Sequence, residues 1–135
     1  MHLTVGVFGT PERCHAIAAG LAKKGTENDI VIYNHGSSEG VYTYVCTNPE
    51  PGKPQKVQPL LQALAMVDFP VLAISELTKD VGETIIAIDE MRFAQGFIVA
   101  DAATADALKP MIKDTSLEGF EFVGEDALRQ KIADA

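Results

Sequence analysis

The residues with the clearest chemical meaning follow the first apolar segment of the chain, where Gly9 opens a turn into a helical pattern. Phosphate-binding loops of the Gly-x-x-x-x-Gly-Lys-Ser/Thr type begin at such a place, because backbone N–H groups, a lysine and a hydroxyl together hold phosphate and magnesium. Counted from Gly9, the last three motif positions are occupied by Cys14, His15 and Ala16. The sequence therefore predicts the architecture of a nucleotide-binding protein without its phosphate chemistry.

The same turn carries a negative charge where a phosphate would need a positive one. Glu12 lies in the first predicted helical turn, where its carboxylate complements the helix dipole and opposes an anion. Each lost charge-assisted anchor costs roughly 1.5–3 kcal/mol, so three lost anchors cost about 4–9 kcal/mol. We therefore predict that ordinary tight GTP binding is lost, with weak binding through Gly9 and Thr10 as the alternative. His15 would replace the lysine charge only when protonated, and a histidine on the helix surface is the favoured interpretation.

No other group of residues in the sequence has the spacing of a catalytic or metal-binding site. Cys14 and Cys46 are both expected at the carboxyl end of the sheet, where two small buried thiols are favoured over a redox pair. Asp101 and Asp106 follow the fifth predicted strand and are candidates to contact a ligand, but Asp106 also fits the electrostatics of a helix start. The sequence therefore predicts no catalytic residue, no metal and no cofactor.

Composition limits the chain to a single acidic domain. The 135 residues are 47% hydrophobic and 22% charged, a balance typical of a soluble globular protein. The net charge of −8 argues against nonspecific nucleic-acid binding by this domain alone. No apolar run reaches the roughly 18 residues that cross a membrane, and the chain begins with a strand pattern rather than a secretion signal. We expect one cytoplasmic domain over residues 1–135, with reduced cysteines.

Apolar runs of strand length alternate with helical patterns along the chain, which predicts an α/β fold. The first, third, fourth and fifth runs are continuously apolar, as in parallel strands covered on both faces. The link between the second and third runs predicts an antiparallel hairpin at one sheet edge. We predict three α/β/α layers around a mostly parallel six-stranded sheet with one antiparallel edge strand. The predicted strands cover residues 3–8, 30–33, 41–45, 71–74, 97–100 and 120–123.

Local signals place the helices between these strands. Thr10 is positioned to cap a first helix that ends near Gly25, and Pro59 starts the second helix. Asp80, with a glutamate three residues later, forms a capping box that opens the third helix. Pro110 predicts a kink or a late start in the fourth helix, and residues 125–133 form the last one.

Five short segments together resemble one known family. Two lie early in the chain: Val5-Gly6-Val7-Phe8-Gly9 is the first strand with its turn, and Lys24-Gly25-Thr26-Glu27-Asn28-Asp29-Ile30 follows the first helix. Met66-Val67-Asp68 leads into the fourth strand, and Gly82-Glu83-Thr84 opens the third helix. Gly96-Phe97-Ile98-Val99 is the fifth strand. With them the chain resembles the guanine-nucleotide domain (G domain) of translational GTPases, of the elongation factor Tu and selenocysteine-specific elongation factor (SelB) type. It is most similar to the SelB-like elongation factors of methanogenic archaea, from Leu3 to about Ile132, which implies a P-loop GTPase-like fold.

Carried over residue by residue, the three nucleotide-binding motifs of this family are absent. Only the first glycine of the phosphate loop is kept, the magnesium-side D-x-x-G motif and the guanine-recognising N-K-x-D motif are replaced, and no catalytic histidine follows the former. The vestigial positions are Gly9, Thr10, Cys14, His15 and Ala16 in the phosphate loop, Cys46, Thr47, Asn48 and Pro49 in the D-x-x-G region, and Asp101, Ala102, Ala103 and Thr104 in the base-recognition region.

The resemblance leads to three hypotheses. The preferred one is a G domain of a SelB-like elongation factor that has lost GTP hydrolysis, needs no cofactor, and acts in aminoacyl-tRNA delivery or as a scaffold. Its implied partners are aminoacyl-tRNA, the ribosome and the barrel domains of the parent protein. The 135 residues are expected not to include these barrel domains. The second hypothesis is a functional GTP-binding elongation factor whose remodelled loops hold GTP and magnesium through Asn48, Lys53 or Asp101. The third is a protein-interaction module outside translation.

Overall fold

A computed structural model describes residues 2–27, 30–37, 40–48 and 57–135. Strands and helices alternate through most of this length, as the apolar runs predict. The elements are β1 (His2–Gly9), α1 (Pro11–Leu21), β2 (Lys23–Glu27), β3 (Ile30–Ser37), β4 (Gly40–Thr47), α2 (Val57–Met66), β5 (Phe69–Ala73), α3 (Lys79–Met91), β6 (Phe97–Val99), α4 (Ala102–Ile112), a 3-10 helix (Ser116–Gly119), β7 (Glu121–Phe122) and α5 (Glu125–Asp134).

The strands form one sheet in the order β2-β3-β4-β1-β5-β6-β7. Strands β4, β1, β5, β6 and β7 are parallel neighbours, and β3 runs antiparallel to both β2 and β4. The central strand β1 pairs with β4 on one side and β5 on the other, so that Gly9 lies in register with Ala73. The predicted α/β fold around a mostly parallel sheet is confirmed.

The sheet has seven strands rather than the six predicted, because the chain turns extended directly after α1. Helix α1 ends at Leu21, not near Gly25, and Ala22 is extended with φ −154°. The next residues form β2, whose Lys23 and Lys24 pair with Asn34 and Tyr33 of β3. The added strand places the antiparallel β3 second from the edge. The polar run Lys-Lys-Gly-Thr-Glu has no apolar alternation to indicate a strand.

Helices cover both faces of the sheet and complete the three predicted layers. Helices α1 and α5 share one core with residues such as Val7, Val71 and the three tyrosines, Tyr33, Tyr42 and Tyr44. Helices α2, α3 and α4 share the other core, which is built around Phe8, Leu72 and Ile98 of three adjacent strands. Parallel strands buried on both faces explain the continuous apolar runs of the sequence.

Three helix starts differ from the sequence prediction. Helix α2 begins at Val57, two residues before the predicted Pro59. Thr78, not Asp80, is the N-cap of α3, and its hydroxyl accepts a hydrogen bond from the Val81 N–H at 3.2 Å. Helix α4 starts at Ala102, directly after its N-cap Asp101, so Pro110 does not delay its start. Pro110 lies in the last turn of α4.

Candidate functional site

The turn after β1 is the shortest connection at the carboxyl edge of the sheet. Only Thr10 separates β1 from α1. Gly9 has φ +133°, a conformation that favours glycine. A Cβ atom at this position would lie 2.3 Å from the Ala73 carbonyl oxygen, and the Thr10 N–H donates to that same oxygen at 3.0 Å. The turn is therefore packed directly against the end of β5.

Thr10 is the N-cap residue of α1, and its side chain bonds to the neighbouring loop after β5. Its hydroxyl accepts a hydrogen bond from the Ser75 N–H, beyond the end of β5, at 3.1 Å, and makes no side-chain cap to α1. The predicted N-cap position of Thr10 is confirmed, but the side-chain cap hydrogen bond is absent, because the Ser75 N–H offers the hydroxyl another donor. The loop positions 11–14 of a phosphate-binding motif are instead the first residues of α1, and the Cys14 N–H donates to the Thr10 carbonyl at 2.9 Å.

His15 is a bridge between three elements, which corrects the interpretation of a histidine on the helix surface. Its Nε2 lies 2.9 Å from the Thr47 carbonyl oxygen and its Nδ1 lies 2.8 Å from the Tyr33 hydroxyl. A carbonyl only accepts, so Nε2 carries the proton and, in the neutral ring, Nδ1 accepts from Tyr33. Half-buried His15 therefore ties α1 to β3 and to the end of β4. Ala16 is exposed.

We expect His15→Ala to destabilise the protein by about 1–3 kcal/mol, because two hydrogen bonds worth about 0.5–1.5 kcal/mol each are lost. Chemical unfolding followed by circular dichroism measures the change. His2→Ala is the matched control: His2 is exposed, with one 3.5 Å contact to Thr43, and its removal should cost under about 0.5 kcal/mol. Equal losses from the two variants would show that the His15 bridge adds nothing to stability.

The two cysteines are neighbours beneath this bridge, as expected from their places in the predicted sheet. The Cys46 thiol lies 3.7 Å from the Cys14 carbonyl oxygen, and the Cys14 thiol lies 3.8 Å from the Ala73 carbonyl oxygen. Both cysteines are free and buried. Burial raises the pKa of Cys46 to about 12; burial, and then the neighbouring Cys46, raise the pKa of Cys14 well above its ordinary value. Two buried, protonated thiols match the favoured interpretation.

These raised thiol pKa values predict that stability falls at high pH. Unfolding exposes thiols that ionise above about pH 8.5, whereas in the folded protein Cys46 ionises near pH 12. The thiols therefore contribute full stability below pH 8.5, and each loses roughly 1.4 kcal/mol per pH unit above it. Urea unfolding from pH 7 to 10.5 measures this slope. The variant Cys14→Ala/Cys46→Ala should have a clearly shallower slope, and an unchanged one would contradict the assignment.

The region that replaces the D-x-x-G motif ends β4. Cys46 and Thr47 are its last two residues and both are buried. The Thr47 carbonyl accepts from His15, so this strand end is part of the bridge. Asn48 is half-buried directly after the strand. Pro49 and Lys53 lie outside the described residues.

The region that replaces the N-K-x-D motif begins α4. Asp101 caps this helix by accepting from the Thr104 N–H at 2.7 Å, and Ala102 and Ala103 lie in its first turn. Hydrogen bonds from Thr104, and to a smaller extent the charge of Arg13, lower the pKa of the Asp101 carboxyl. Asp106 lies in the second turn of α4 and forms an exposed ion pair with Lys109 at 3.5 Å, so its proposed helix-start role is wrong.

Arg13 brings the start of α1 close to this region, a contact that the sequence analysis missed. Its Nε lies 3.9 Å from the Glu125 carboxylate at the start of α5, and its charge lowers the pKa of Asp101. The N-termini of α1 and α5 therefore lie close together at the carboxyl edge, and the charge of Arg13 also acts on Asp101 at the start of α4. The strand order places them there, and no local motif indicates it. Among the described residues, no three His, Cys, Asp or Glu side chains are grouped to hold a metal ion, and no helix is long and apolar enough to cross a membrane.

Comparison with known proteins finds the same fold in one solved structure and a similar sequence in one uncharacterised protein. No family model matches the chain. Over 126 residues the chain is 36% identical to an uncharacterised protein of Methanocaldococcus jannaschii. The aligned region covers 92% of this chain and 39% of that relative. The crystal structure of translation elongation factor SelB from Methanococcus maripaludis, in complex with the GTP analogue GppNHp, matches 98% of this chain and 33% of the SelB chain, with a TM-score of 0.73 and 14% identity. The chain thus has the GTPase-like fold found in SelB, and it spans well under half the length of either protein.

Proposed function

We propose that this chain is a G domain of a SelB-like elongation factor that retains the fold and has lost GTP hydrolysis. The observation that carries the proposal is the turn at Gly9. A single residue leads from β1 into α1, and Thr10 is hydrogen-bonded to Ala73 and Ser75 across the place where a phosphate loop would open. Glu12 in the first turn adds a negative charge at the helix start, which opposes a bound anion there.

The other two motif regions support the same proposal. Asp101 uses its carboxylate to cap α4, and the Thr47 carbonyl is held by His15. In this proposal the contacts of α1 with β3, β4 and β5 do what a bound nucleotide does in an active G domain: they hold the loops at the carboxyl edge. The domain then needs neither GTP nor magnesium to keep its shape.

The proposed role is cytoplasmic, either in aminoacyl-tRNA delivery or as a scaffold. The resemblance suggests barrel domains of a longer protein, aminoacyl-tRNA and the ribosome as partners. Because the net charge is −8, attraction to tRNA would have to come from regions other than this domain.

A titration with a fluorescent GTP analogue tests the proposal. With 5 mM magnesium we expect no saturable binding below about 1 mM nucleotide, and no GTP turnover above the protein-free rate. An active translational GTPase under identical conditions is the positive control. Micromolar, magnesium-dependent binding would overturn the proposal and favour a GTP-binding elongation factor with remodelled loops. Thr10→Ala would then show whether the binding depends on the Gly9 turn.

A further inference from the structure

Helix α5 is attached to the rest of the protein by few buried side chains. Two of its ten residues, Leu128 and Ile132, are buried, and they join the core on the α1 side of the sheet. Helix α1 is one residue longer and buries four residues. A cavity of about 430 Å³ lies between α1 and α5, so the two helices are not closely packed along this side. Apolar burial therefore stabilises the position of α5 less than that of α1.

Ion pairs hold α5 at its start and near its end. Glu125 in the first turn lies 3.9 Å from Arg13 of α1. The N-cap residue Gly124 makes no side-chain cap, so the first turn is not fixed by a cap of its own. Lys131 in the last turn lies 2.7 Å from the Glu121 carboxylate of β7. The side chains of both pairs are partly exposed, so salt in the solvent screens their attraction.

Arg129 provides a third charged contact, between these two. Its Nη2 donates hydrogen bonds to the carbonyl oxygens of Gly20 and Leu21, at 3.1 and 3.0 Å. Both carbonyls belong to the C-terminal end of α1, where the helix dipole favours a cation. Hydrogen bonds from an ionised donor are roughly twice as strong as neutral ones. Charged side chains thus tie α5 to α1 at two points and to β7 at one.

We propose that α5 is a latch helix, which detaches from α1 and β7 as one unit when its charged contacts are screened or removed, while the sheet and the other helices stay folded. Its hinge is Gly124, because the preceding Val123 N–H donates to the Ile98 carbonyl of β6 at 2.9 Å. Detachment uncovers Leu128 and Ile132 and the part of the core that they cover. Units with few buried apolar contacts open in this way without global unfolding. An apolar surface on the α1 side is then available only while the latch is open.

Helix α4 is a matched control within the same chain. It also buries two side chains, Leu108 and Ile112, in its eleven residues. Its ion pair, Asp106 with Lys109, lies within the helix, so screening this pair does not free α4 from a neighbour. Lys109 also lies 5.8 Å from the centre of the Phe122 ring, a weaker attraction than a hydrogen-bonded ion pair. Salt should therefore loosen α5 and leave α4 in place.

Amide hydrogen exchange in about 0.1 M and about 1 M sodium chloride tests the proposal, because the Debye length falls from about 10 Å to about 3 Å between them. The amides of α5 should exchange at least about fivefold faster at the higher concentration, and those of α4 less than about twofold faster. Comparing α5 with α4 in one sample removes the effect of salt on the intrinsic exchange rate.

Arg129→Gln removes the charge at low salt and keeps a residue of good helix propensity. In about 0.1 M sodium chloride the α5 amides should exchange at least about tenfold faster than in the wild-type chain, with those of β1 unchanged. Arg92→Gln is the matched control, because the 3.7 Å ion pair of Arg92 with Asp89 joins the end of α3 to its own last turn. It should change α5 exchange less than about twofold. Lys131→Gln, which removes the contact with β7, should accelerate α5 exchange at least about twofold.

Four outcomes would overturn the proposal. They are α5 amides as strongly protected as those of β1 at both salt concentrations, equal acceleration of α4 and α5 by salt, equal effects of Arg129→Gln and Arg92→Gln, and unfolding of the whole domain by Arg129→Gln. Circular dichroism detects the last of these. None of the measurements involves a nucleotide, so failure here is distinct from failure of the nucleotide titration.

Discussion

Gly9→Ala should destabilise the protein by roughly 2–6 kcal/mol. An alanine at this position would adopt the φ of +133° at a cost of about 1–3 kcal/mol. Its Cβ would also lie 2.3 Å from the Ala73 carbonyl oxygen, and relieving such an overlap costs about another 1–3 kcal/mol. Urea unfolding measures the difference. Because the total stability of a domain of this size is about 5–15 kcal/mol, the variant could be largely unfolded at 37 °C.

Gly20→Ala is the matched control for this substitution. Gly20 lies within α1, and a Cβ there would meet no atom within 4 Å. Alanine removes the helix penalty of glycine, so Gly20→Ala should stabilise the protein by about 0.5–1 kcal/mol. If Gly9→Ala also left stability unchanged or raised it, the tight packing of the turn against β5 would be wrong.

Leu64→Ala should destabilise the protein by about 2–5 kcal/mol, the range for truncating a buried leucine. Leu64 is 1% exposed and lies in the core between α2 and the sheet. Its cost combines the lost burial of the side chain with the cavity that remains. Urea unfolding with a linear extrapolation measures it.

Leu61→Ala tests the opposite side of the same helix. The residue change and the change in helix propensity are identical, but Leu61 is 44% exposed. Its truncation should therefore cost under about 0.5 kcal/mol. A large loss from Leu61→Ala would mean that this side chain is buried in the isolated domain.

Sequence periodicity predicted most of the fold because the strands next to β1 are buried on both faces. Their continuous apolar runs are visible without any knowledge of pairing. Strand β2 escaped prediction because its order comes from hydrogen bonds to β3, and its residues carry no apolar alternation. The predicted start of α3 differs from the observed one because Thr78 and Asp80 are both good N-cap residues. Only the backbone conformation of Thr78 decides between them.

The sequence selected the residues of the candidate site but did not predict their contacts. Counting from Gly9 identified the positions where phosphate-binding residues are missing. The partners of Thr10 and His15 lie 65 and 32 residues away along the chain, at Ser75 and Thr47. Such contacts depend on the order and register of strands, which no local motif encodes. The same holds for Arg13 beside Glu125.

The pairing of β1 with both β4 and β5 has a consequence for how the chain is made. When residue 47 has left the ribosome, β1 can pair with β4 through the register Leu3 with Tyr42. Its other side stays unpaired until Phe69–Ala73 is synthesised, a delay of seconds at 5–20 residues per second. During that interval an apolar strand edge is open to neighbouring chains. Nascent fragments that stop before β5 should therefore aggregate or engage chaperones, while the full domain refolds on the slow, millisecond-to-second scale of non-local β pairing.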